Sequence, residues 1–81
     1  MRITVRLFAA QREAAGTGST TADLPDGSTV ADAYERVRAT FPAIERGART
    51  VAFAVNQVQV GTDAALADGD EVALLPPVCG G

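Results

Sequence analysis

The chain has 81 residues, 47% hydrophobic and 21% charged, with a net charge of −3, which suits one small globular domain and argues against nucleic acid as a partner. Its seven basic residues are all arginine, and histidine and lysine are absent, so a histidine general base, a Schiff-base lysine, a Cys–His nucleophile pair and a histidine metal site are all excluded. The single cysteine, Cys79, allows no internal disulfide, and the lack of an apolar span or a signal-peptide core leads us to expect a cytoplasmic protein with no membrane partner.

The first segment, residues 2–7, alternates polar and apolar with Ile3, Val5 and Leu7 on one face, as in a half-buried strand. Residues 8–16 are alanine-rich, which predicts one or two helical turns stopping at Gly16. Residues 19–24 form a short β-prone stretch, and Pro25-Asp26-Gly27 reads as a turn. The clearest helix follows. Ser28 or Thr29 caps it, and Asp32 stands in the first turn, where the positive end of the helix dipole favours an acid. Val30, Ala33, Tyr34, Val37 and Phe41 share its apolar face, and Pro42 ends it. Residues 45–50 make a polar loop, and Val51, Phe53 and Val55 alternate as a strand. Asn56-Gln57 is a tight turn into a short strand over 58–60, and Asp68-Gly69 a second turn before a last strand over 71–75.

One helix and a handful of strands bury a common core only if the helix lies across one face of the sheet. The expected fold is therefore α+β, a β-grasp or ubiquitin-like arrangement. It has a mixed sheet of about five strands, one main helix across it and an extended C-terminal tail. The domain spans 1–75 and the tail 76–81.

Pro76 and Pro77 lack backbone donors and favour an extended path, which aims the tail away from the body. Six residues can reach roughly 20 Å. Without Cβ atoms, Gly80 and Gly81 can enter a channel too narrow for side chains. That suits a terminal carboxylate delivered into another protein's active site. At a background glycine frequency of about 7%, two in succession at a chain end arise by chance roughly once in two hundred sequences, so the pair is informative mainly in combination with the fold.

Residues 7–16, LFAAQREAAG, resemble the Leu-Phe-Ala-x-x-Arg-Glu-x-x-Gly block of the molybdopterin synthase small subunit, the MoaD family. Residues 54–57, AVNQ, residues 66–78, LADGDEVALLPPV, and Gly80-Gly81 resemble its other landmarks in the same order. The related ThiS group shares the β-grasp and the glycine pair but matches the first block less well. The resemblance implies a sulfur carrier in molybdenum cofactor biosynthesis. A ubiquitin-activating-type adenylyltransferase would use ATP to adenylate the carboxylate of Gly81, and a persulfide sulfur donor would convert it to a thiocarboxylate. The tail would then enter the large subunit of molybdopterin synthase and give its sulfur to the molybdopterin dithiolene. It implies a heterotetramer with that subunit, which supplies the catalytic side chains, and no permanently bound cofactor or metal.

On this resemblance Gly80 and Gly81 are the chemical site, while Phe8, Leu74, Leu75, Pro76, Pro77, Val78 and Cys79 face the partner. Each also has a plainer reading. Phe8 fits a core position, Arg12 and Glu13 fit a solvated pair, and alternation puts one of Leu74 and Leu75 in the core. Asp68, Gly69 and Asp70 fit a simple turn. Cys79 departs from the family, which more usually has a small non-thiol residue there. It reads either as an inert substitution or as a thiol able to approach the Gly81 acyl group or to form an intermolecular disulfide when oxidised. Two other functions fit the same tail: a sulfur carrier for thiamin, cysteine or tRNA thiolation, and a ubiquitin-like protein modifier.

Overall fold

The computed structural model describes residues 1–44, 50 and 52–76. Along the chain run β1 (Arg2–Arg6), α1 (Ala10–Ala15), β2 (Ser19–Asp23), α2 (Val30–Thr40), β3 (Ala52–Val55), β4 (Val58–Val60) and β5 (Glu71–Leu75). The strands form one sheet in the order β2-β1-β5-β3-β4. The β1–β5 pair is parallel and the other pairs are antiparallel, so the sheet is mixed. This is the β-grasp expected, with the last strand in the middle of the sheet. β5 therefore ends in the middle of the sheet, with Pro76 directly after it.

Period-two alternation sorts the strands' side chains between two faces. Ile3 and Val5 of β1, Phe53 of β3 and Val72 and Leu74 of β5 are buried on one face, with Leu7 just past β1. Val30, Ala33 and Val37 of α2 join the same core, as do Leu24, Ile44 and Leu66 from the connections. Tyr34 meets Phe53 edge-on with ring centroids 5.3 Å apart, and the Arg38 guanidinium carbon lies 4.9 Å from the Tyr34 ring centroid.

Helix α2 begins at Thr29 in a capping box. The Asp32 carboxylate accepts from the Thr29 N–H at 2.8 Å, and the Thr29 side chain receives the Asp32 backbone N–H. Ser28, the other candidate cap, is buried instead and donates its hydroxyl to the Pro25 carbonyl at 2.7 Å. Two further N–H groups of the first turn, on Val30 and Ala31, donate to the carbonyls of Ala64 and Thr62. The 61–66 connection thus satisfies helix donors that no intrahelical carbonyl can reach. Helix α1 stops at Gly16, whose φ of +76° and N–H to the Arg12 carbonyl make a left-handed C-cap.

Candidate functional site

None of the described helices or connections covers the face of the sheet opposite α2. Across it, register aligns Arg6 with Ala73, Ala73 with Ala54, and Ala54 with Gln59. Two alanines at its centre make a floor of low relief, walled by longer side chains into a shallow depression. Ala54 is buried on this side because its neighbours overhang it. At one end Arg6 and Glu71 form an ion pair at 3.6 Å, both about half exposed and therefore weakly coupled in water.

The other end is apolar. Two residues beyond the aligned pair Arg6 and Ala73 stand Phe8, just past β1, and Leu75 of β5, and both line the depression. Phe8 is 39% exposed, one of two large exposed hydrophobics among the described residues. The other, Val58, lies on the edge strand β4. Leu75 is half-buried and pairs with Ala52, just before the half-buried Pro76. An aromatic ring, an aliphatic side chain and a floor of small residues form a surface able to seat a partner's apolar groups, with Arg6 and Glu71 as an orienting charged edge.

The turns are pinned by side chains. Asn56 and Gln57 both have positive φ, +50° and +72°, as a two-residue hairpin of the primed type requires. Asn56 donates its side-chain N–H to Asp70 Oδ1 at 3.0 Å and accepts the Glu71 N–H at 3.0 Å. The second Asp70 oxygen accepts the Ala67 N–H at 2.8 Å, and Asp68 accepts the Arg2 N–H at 2.7 Å. These carboxylates serve the turn and the strand pairing beside it. No group of three or more metal-ligating side chains occurs among the described residues, and none of the described helices is long and apolar enough to cross a membrane.

Residues 5–81 match the ThiS family. The chain belongs to the ThiS family. It is 42% identical over 83 residues to the molybdopterin synthase sulfur carrier subunit of Chlamydomonas reinhardtii, covering 100% of both chains. It is also 42% identical over 85 residues to that of Escherichia coli strain K12, covering 98% of this chain and 99% of the relative. Among solved structures it is similar to small archaeal modifier protein 1 of Haloferax volcanii. That similarity has a TM-score of 0.87 at 29% identity and covers 95% of this chain and 98% of the other.

In this ThiS-family chain the expected site residues divide three ways. Phe8 and Leu75 come together on the open face, with Pro76 directly after them. Leu74 is a correction to the expected partner surface. It is 0% exposed because alternation along β5 turns it under the sheet, opposite Phe53 in the core. Pro77, Val78, Cys79, Gly80 and Gly81 lie outside the described residues, as does Val51, expected in a strand. The residue that sequence reasoning missed is Gln11, whose polar side chain is 0% exposed. The signal for it was helical spacing: Leu7, Gln11, Ala14 and Ala15 form one inward stripe, with Leu7 buried and both alanines packed on the core.

Proposed function

We propose that this protein is a sulfur carrier acting as the small subunit of molybdopterin synthase, working in the cytoplasm. The observation that carries the reading is the ThiS-family match through residue 81, together with full-length similarity to molybdopterin synthase sulfur carrier subunits. The Gly81 carboxylate would attack the α-phosphorus of ATP on an adenylyltransferase, releasing pyrophosphate and giving an acyl adenylate. A persulfide sulfur would then add to the acyl carbon and expel AMP. The acyl disulfide so formed needs two electrons from a second thiol to release the Gly81 thiocarboxylate. The open face, with Phe8 and Leu75 at the root of the tail, would dock first on the activating enzyme and then on the large subunit. Docking there directs the tail into the partner's active site and turns sulfur delivery into an effectively intramolecular step.

The experiment is an intact mass of the protein purified without reducing agents from cells that hold its partners. A sulfur-for-oxygen exchange localised to Gly81 is expected. An unmodified terminus, in the presence of a competent activating enzyme and ATP, would sink the reading.

Similarity to an archaeal modifier protein favours a second reading, in which the activated Gly81 is attacked by a target lysine to form an isopeptide bond. That reading predicts a ladder of covalent adducts in cell extract. A thiocarboxylate without adducts would exclude it.

A further inference from the structure

The Gln11 side chain is fully buried, at a position where an apolar side chain of similar size would be buried at less cost. Two of its side-chain hydrogen bonds run to two different segments of the chain. Oε1 accepts the backbone N–H of Phe8 at 3.3 Å, at the point where the chain leaves β1. Nε2 donates to the Thr50 hydroxyl at 2.8 Å, across 39 residues of sequence. Thr50 stands two residues before Ala52, the register partner of Leu75. One side chain thus braces the Phe8 segment against the segment leading into the strand beside the tail's root.

The Phe8 segment needs such a brace. Ala9 has φ +50° and ψ −126°, a backbone state unfavourable to alanine, and it is the link between outward Phe8 and α1. The Gln11 N–H also returns to the Phe8 carbonyl at 3.0 Å, so backbone and side chain of the same residue close on Phe8 from both sides.

We propose that Gln11 is a positioning residue for partner docking: its buried amide holds Phe8 in register with Leu75, so that both are presented to the partner as one preformed surface. The inference rests on the docking reading above. Preforming the surface spares the complex the cost of ordering the aromatic side chain and its loop on binding.

The test is a double-mutant cycle on the full chain, read as affinity for the molybdopterin synthase large subunit, with thermal unfolding and Phe8 amide hydrogen exchange measured alongside. Gln11→Leu should weaken binding about tenfold and speed exchange at the Phe8 amide, while core amides stay protected and the melting temperature moves little. In a Phe8→Ala background the same substitution should cost less than about twofold, because the residue it positions is gone. Wild-type affinity for Gln11→Leu, beside a weakened Phe8→Ala, overturns the role of Gln11 and leaves the docking face standing. Fully additive losses overturn it too. Wild-type affinity for Phe8→Ala removes the docking face itself, and the proposal with it. Should Gln11→Leu fail to fold, Thr50→Val cuts the far end of the brace; a several-fold loss of affinity is then expected, and no loss overturns the proposal.

Discussion

Asn56 and Asp70, fourteen residues apart, share a 3.0 Å side-chain hydrogen bond that joins the β3–β4 hairpin to the turn before β5. Each also holds a backbone N–H, Asn56 that of Glu71 and Asp70 that of Ala67. Asp70→Ala therefore removes acceptors from two donors at once. It should cost about 1–2 kcal/mol by urea denaturation, with Asn56→Ala costing a similar amount. The double variant should lose less than the sum, since the shared bond is counted in both singles. Additive losses would show that the two side chains act separately.

Adjacent leucines should respond in opposite ways. Leu74 is fully buried beneath the sheet, so Leu74→Ala opens a cavity and should cost about 2–5 kcal/mol, a large part of what a domain this size has. Leu75 faces the depression, and Leu75→Ala should change stability by less than about 1 kcal/mol while weakening binding to the large subunit. Denaturation midpoints and binding isotherms for the two variants separate these outcomes. A stability loss at Leu75 equal to that at Leu74 would contradict the division of the strand into two faces.

The Arg2 guanidinium donates to the Asp23 carboxylate at 2.9 Å across the β1–β2 pair, and this bond holds the Asp23 carboxyl below the usual carboxylate range. A carboxyl whose folded value is depressed adds stability above its unfolded value, about 3.9, and loses that contribution as pH falls through the folded value. Both side chains are largely exposed, so the contribution is small and screened by salt. A carbon-detected titration should find the Asp23 midpoint below 3.9, and Arg2→Ala should return it towards that value. An unchanged midpoint in Arg2→Ala would rule out the arginine as the cause.

Two backbone positions predict substitutions of opposite sign. Gly69 has φ +86° and donates its N–H to the Arg2 carbonyl at 2.8 Å, with nothing near the place a Cβ would occupy. Gly69→Ala should therefore cost about 1 kcal/mol from backbone strain alone. Ala9, at φ +50°, already carries such strain, and Ala9→Gly should stabilise the fold by up to about 1 kcal/mol despite the looser unfolded chain. Thermal unfolding of both variants gives the signs directly.

Much of the fold was legible because local chemistry is decisive at its ends and turns. Gly16 stops a short helix, Asn56-Gln57 closes a hairpin, and the Thr29–Asp32 pair starts α2 as its residue types suggest. The connection over 61–66 was not legible. Its contribution is two carbonyls given to the N-terminus of α2 and one buried leucine, Leu66, none of which has a local signature. Ala54 was likewise invisible, since its burial on the open face comes from overhanging neighbours on other strands.

From the sequence alone came the strand alternation, the apolar stripe of α2 and the family landmarks, because these are periodic or contiguous patterns set by residues close together in the chain. Only the tertiary structure decided which of two neighbouring leucines stays on the open face, since a strand's two faces become inside and outside only when a helix covers one of them. The same holds for Phe8 beside Leu75 and for Gln11 between Phe8 and Thr50. Phe8 and Leu75 are 67 residues apart and are brought together by the parallel pairing of the first and last strands, while Gln11 reaches Thr50 across 39 residues.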